Sequence, residues 1–202
     1  MKRGTLALVV PAAAVVAMSL AACSPMHTGA AATVGSTRIS VADLNAALHQ
    51  DLTASGSTAD HTTALVQASL TTLIDNDLLV DGAKAKGITV SETEIQSVLA
   101  TQRQTNGTDE ATAKANGIPF ANLHQVVHQA VLIDKLEAAV GNGATNQSVL
   151  GQLLSVYLAK VATQEGVSVN PRYGVWQPAN LKVVDGDAFT SPQSPAASSP
   201  AG

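Results

Sequence analysis

"LIDNDLLVDGAKAKGITVSETEI", Leu73 to Ile95, joins two helical signals through one glycine. Ahead of Gly87 the apolar residues recur at helical spacing, and Lys84 and Lys86 fall in the last turn, where cations offset the negative end of a helix dipole. Gly87 is placed as a C′ glycine, the residue that most easily takes the left-handed turn closing a helix. After the short extended piece "ITV", Ser91 and Glu94 form a capping box ahead of Ile95, Val98 and Leu99. The stretch therefore reads as long helix, glycine stop, and a second helix entered through Ser91.

Followed upstream, the first of these helices is expected to open at Asp60. Val66, Leu70, Leu73, Ile74, Leu78 and Val80 cover roughly half its circumference at 100° per residue. An apolar face that wide needs neighbours on more than one side, so this helix is expected at the centre of the domain. Before it, "ATVGSTRIS" places two β-leaning pieces around Gly35-Ser36, a pair suited to a type II′ hairpin turn. Ser40, with Asp43 three residues on, caps a helix ending near Ser55-Gly56.

Downstream, a polar break holds a short helix over Asp109–Ala115. A long helix then starts near Pro119, with Phe120, Leu123, Val127 and Val131 on one face, and ends at Gly141 and Gly143. The last helix carries Leu150, Leu153, Leu154, Tyr157 and Val161 on one side. After Gly166, Val167 and Val169 alternate as in a strand, and "LKVVD" offers another. From residue 185 the chain becomes a Ser/Pro/Ala tail with too little apolar content to fold.

The chain has 202 residues, 46% of them hydrophobic but only 2% aromatic. A core of Ala, Val, Leu and Ile favours packed helices, since Ala and Leu are strong helix formers. The fold class expected is mainly α, an orthogonal multi-helix domain with a small β-sheet made by its N- and C-terminal strands. Net charge is −4, and the basic residues are scattered. Nucleic acid, which demands a basic stripe, is a poor candidate partner, and none is expected.

At the N-terminus, Lys2 and Arg3 precede an apolar run, Leu6 to Leu20, interrupted by Pro11 and followed by Ala21, Ala22 and Cys23. This is the layout of a secretory leader. "LAAC" resembles the lipobox of bacterial lipoproteins, in which the leader is removed and the cysteine becomes the lipidated first residue. That resemblance implies acylation of Cys23 and a lipid anchor on the extracytoplasmic face of the cell membrane, since two or three acyl chains hold a soluble domain stably. The alternative is a plain leader whose removal leaves a free thiol. Residues 1–22 are accordingly read as leader, 23–31 as tether, 32–184 as the folded domain and 185–202 as tail.

The order of hairpin, capped helix, central "LIDNDLLVDGAKAKGITVSETEI" and later helices resembles the N-terminal domain of SurA-type periplasmic chaperones, over about residues 31 to 175. In this likeness "TVGSTRIS" stands for the family's strand, tight turn and capping serine. "VNPRYGVW" resembles the closing strand of SurA-N-like lipoproteins, which pairs with the N-terminal strand. The resemblance implies an ATP-independent holdase for unfolded or exported polypeptides. It leaves two alternatives, a scaffold lipoprotein docking one dedicated envelope protein, and a prolyl isomerase by family association. Between Gly166 and the tail there is no room for the parvulin domain that such isomerases carry, so no enzyme activity is expected. Terminal strands at opposite ends of the domain also allow a homodimer by strand exchange.

His124 and His128 lie at i, i+4 without a third ligand or a following Glu, so no metal is expected there. Asp75, Asp77 and Asp81 lie on the central helix, with Asp77 and Asp81 toward its apolar arc, and read as polar rim rather than an acid–base pair. Asp185 and Asp187 lack the oxygen spacing of a calcium loop. No P-loop, dinucleotide fingerprint or nucleophile elbow occurs, and no cofactor is expected. Asn106 and Asn146 begin formal glycosylation sequons that chance supplies readily. Phe120, Tyr157, Tyr173 and Trp176 are the aromatics that either line a client groove or anchor the core.

Overall fold

Chain order begins with a hairpin. In the computed structural model, which describes residues 29–55 and 62–186, strand β1 (Ala30–Val34) turns through Gly35 and Ser36 into β2 (Thr37–Ser40). Gly35 has φ +54°, the positive value that a two-residue hairpin turn requires of its first central residue. Cys23, the leader and the tail from residue 187 lie outside the described residues. β1 buries Ala30 and Ala31 completely. Those two residues belong to the sheet, not to the tether that composition marks over 23–31.

Helix α1 (Val41–Ser55) starts as its cap dictates: Ser40 Oγ accepts from the Asp43 amide at 3.1 Å, and Asp43 returns a bond from the Ser40 amide at 2.8 Å. The central helix α2 (Thr63–Ala85) is capped by Thr62, whose hydroxyl accepts from the Leu65 amide at 3.2 Å. The expected opening at Asp60 is corrected by that cap, and Asp60 itself lies outside the described residues. Helix α3 (Glu92–Asn106) has the full capping box of Ser91 and Glu94. Short α4 (Asp109–Ala115) keeps its predicted bounds.

The face expected to start at Pro119 divides. Phe120–Asn122 form a 3₁₀ turn and the helix α5 covers Leu123–Val140, so Leu123, Val127 and Val131 are buried while Phe120 is 54% exposed. A proline at 119 cannot donate, and Asn122 supplies no side-chain cap, so the first turn tightens instead of joining the α-helical register. Helix α6 (Gln147–Glu165) follows, capped by Asn146, and buries Leu154, Leu158, Val161 and Ala162.

The described residues close with three short strands, β3 (Val167–Val169), β4 (Val175–Gln177) and β5 (Lys182–Val184). β3 pairs antiparallel with β1, Ala32 opposite Val169 and Val34 opposite Val167, giving the order β2-β1-β3. The closing strand is thus Val167–Val169. Tyr173 and Trp176, expected on that same strand, instead lead into or belong to a separate β4–β5 hairpin. Asn170 and Tyr173 make a turn between the two, the Tyr173 amide donating to the Asn170 carbonyl at 2.8 Å.

α2 touches α1, α5, α6 and both sheets, as its wide apolar face predicts. Its inward residues are Leu70, Ile74, Leu78, Leu79 and Ala83. Val80, assigned to the buried arc from the sequence, is 54% exposed. Gly82 lets α6 come close: a Cβ there would stand 3.0 Å from the Tyr157 ring, whose hydroxyl donates to the Gly82 carbonyl at 2.8 Å. Among the described residues, no helix is long and apolar enough to cross a membrane.

Candidate functional site

Two apolar clusters form, and a groove runs along their boundary. The larger cluster joins β1, α1, α2, α6 and the β4–β5 hairpin, and the smaller holds Ile95, Leu99, Ala113, Leu123, Val127 and Val131. Helix α5 serves both, contributing Val127 and Val131 to the small cluster and Leu136 to the large one. Leu132, buried between them, belongs to neither cluster and forms floor in the groove.

The groove consists of two adjoining depressions that share Val80, His128 and Leu132. The smaller, about 110 Å³, lies between Asn76, Leu79 and Val80 of α2 and Gln125, His128 and Gln129 of α5. The larger, about 370 Å³, continues past Ala83 and Lys84 to the Gly87–Val90 linker. Its walls are mostly apolar: Val80, Ala83, Ile88, Val90 and Leu132. Side-chain amides supply the polar rim, and Gln129 Nε2 donates to Asn76 Oδ1 across the smaller depression.

The linker wall is fixed from α5. Lys135 Nζ donates to the Thr89 carbonyl at 2.5 Å and to Glu94 Oε1 at 2.7 Å. Lys135 first, then the bonds from Ser91, hold the Glu94 carboxyl down at about 2. One carboxylate thereby completes a helix cap and ties α3 to α5.

Of the sequence-derived candidates, Phe120 is exposed beyond the groove. Tyr157 is tied to Gly82, with Lys86 Nζ 5.2 Å from its ring centre. Tyr173 packs partly buried on the large cluster, and Trp176 is buried within it. None of the four lines the two depressions. The histidines diverge: His124 Nε2 meets Glu92 Oε2 at 2.9 Å, whereas His128 faces the groove. Among the described residues no group of three or more His, Cys, Asp or Glu side chains is placed to hold a metal.

The acidic residues of α2 also sort differently from their helical projection. Asp75, not Asp77 or Asp81, carries a fully buried oxygen without a partner among the described residues, and burial pushes its carboxyl up to about 7. Asp77 is raised less, by burial first and then by Asp81 and Asp43. Asp75 lies one turn beyond Thr71 and two beyond Gln67, residues that dock the C-terminal hairpin: the Val183 amide donates to Thr71 Oγ1 at 2.9 Å and Gln67 Nε2 to Asp185 Oδ1 at 2.9 Å. Asp185 is a hairpin anchor.

Sequence reasoning missed the groove because its walls lie some 45 positions apart in the chain. The available signal was Val80, an apolar residue at the flank of an already wide face. Compared with known proteins, residues 1–137 match a family model described as SurA-like N-terminal domain. No curated protein and no solved structure matches the chain.

Proposed function

The chain belongs to the SurA-like N-terminal domain family, a chaperone-associated kind of module, and on that premise we propose that it is an ATP-independent holdase for unfolded or exported polypeptides. In this reading Cys23 carries the lipid that anchors it on the extracytoplasmic face of the cell membrane, and residues 24–29 give the domain reach. The α2–α5 groove is where client side chains are buried.

The observation that carries the reading is Val80, 54% exposed where the two depressions meet. An exposed valine on the wall of an apolar groove is surface that a partner covers. The spacing also suits an extended chain. From one depression to the next the lining advances about four residues along α2, roughly 6 Å at the helical rise. Side chains at i and i+2 of an extended segment are separated by about 6.6 Å. Two alternate apolar side chains fill the two depressions, and the amides of Asn76, Gln125 and Gln129 face the client backbone. Burial of this kind needs no catalytic group and tolerates many sequences.

The test is suppression of aggregation of a chemically unfolded protein by the full chain without nucleotide. Val80→Asp, which puts a charge where the depressions join, is expected to abolish suppression. Because Val80 is exposed, its effect on stability stays within about 0.5 kcal/mol. Undiminished suppression by a folded Val80→Asp protein counts against the groove.

A further inference from the structure

We propose that the groove selects extended segments in which an acidic side chain lies next to the apolar pair, its carboxylate meeting Lys84. The proposal rests on the holdase reading and adds to it a client chemistry that burial alone does not specify.

Among the described residues, Lys84 is the one formally charged residue lining the two depressions, and no Asp or Glu lines either. The other cations nearby are occupied. Lys135 is bound to Thr89 and Glu94, and Lys86 sits over the Tyr157 ring. Lys84 is exposed in the last turn of α2 and forms no ion pair among the described residues. On its other side Asp81 and Glu165 line a separate polar depression with it. These two carboxylates temper the ammonium's field without pairing with it.

The chain as a whole carries a net charge of −4. An acidic segment is therefore disfavoured by the net charge and attracted at Lys84, which fixes where along the groove its carboxylate falls. Lys84 lies one helical turn beyond Val80, so the acidic residue stands beside the apolar residue that enters the larger depression. The pair is half in water, and its contribution is that of an exposed salt bridge, a preference rather than a requirement.

Fluorescence anisotropy of the full chain with three labelled peptides tests this. The peptides share one apolar-x-apolar core and differ only in Glu, Gln or Lys at the adjacent position. At low salt the Glu peptide is expected to bind about 2- to 5-fold more tightly than the Gln peptide, with the Lys peptide weakest. High salt closes the gap by screening. Lys84→Gln is expected to erase the difference between the Glu and Gln peptides, and Lys84→Glu to reverse the order.

Equal binding of the Glu and Gln peptides overturns the acidic preference and leaves the groove reading standing. A preference that survives in Lys84→Gln overturns the assignment to Lys84. Failure of all three peptides to bind, or binding indifferent to Val80→Asp, overturns the groove reading together with the proposal.

Discussion

Around α2 the fold is closed by contacts between the first and last described strands and hairpin, whereas the α3–α4 arm is held by neighbours. In the central region β1 pairs with β3 across more than 130 residues, and Trp176 and Val183 insert from the C-terminal hairpin into the same core as Leu44 and Leu70. The arm has a six-residue core and depends on polar fasteners at its edges: the Ser91 capping box, Lys135 on Glu94, His124 on Glu92, and Arg103 on Asp109 at 2.7 Å. The difference places the groove. Where a large core and a small one share a helix without merging, their boundary leaves apolar surface uncovered, and Val80, Leu132 and Ile88 line it.

If the central region is closed by elements so distant in sequence, the β4–β5 hairpin is structurally indispensable even though the family match stops at residue 137. Trp176→Ala is expected to cost about 3–5 kcal/mol in urea unfolding and to unfold the whole domain. Trp176→Phe, which keeps most of the ring and removes an indole N–H that has no partner among the described residues, is expected to cost less than about 1.5 kcal/mol. A mild Trp176→Ala would place the hairpin outside the cooperative unit.

Leu99→Ala in the arm is expected to cost about 2 kcal/mol, the low end for such a change, because a small cluster near solvent relaxes into the space. Hydrogen exchange sharpens this comparison: amides of α3 and α4 should exchange faster in Leu99→Ala while those of α2 keep their protection. Uniform loss of protection would make the two regions one unit.

Asp75 separates the regions by pH. Its carboxyl stands at about 7 in the fold, against an ordinary value near 3.8, because of burial. Between those values the folded protein keeps a proton that the unfolded chain has released. Stability therefore falls as pH rises from about 4 to about 7 and then levels off. The group is partly exposed, so the full shift is discounted to about 1–2 kcal/mol. Asp75→Asn is expected to flatten this slope, read as urea midpoints at about pH 5, 7 and 8.5. An unchanged slope would assign the pH dependence to other groups.

The smallest effect belongs to the arm's fasteners. Ser91→Ala removes the hydroxyl that accepts from Glu94 N and is expected to cost about 1 kcal/mol. Its exchange signature should again be confined to α3 and α4.

Much of this architecture was legible beforehand. Ser40 with Asp43, Ser91 with Glu94, Gly35-Ser36 and the short helix over Asp109–Ala115 were readable because caps and tight turns are built from residues within a few positions of one another. The breadth of the apolar face on α2 announced its central place. Less legible were Phe120, turned outward by a 3₁₀ turn, and Val80, left 54% exposed on the wall of the groove between α2 and α5. The burial of Asp75 rather than Asp77 was hidden as well, because a helical projection shows which residues share a face and not which neighbour covers it.

By itself the sequence determined the helical class, the order of elements, most of their ends and the likeness to a chaperone-associated family, all of which follow from local spacing and composition. Only the tertiary structure decided that α5 would bridge two clusters without fusing them, that Leu132 would become the floor of a groove, and that Lys84 would stand at its edge. The physical reason is that burial is a property of pairs of surfaces. Residues 76–90 and 125–132 acquire their shared cavity only when the chain between them has folded back.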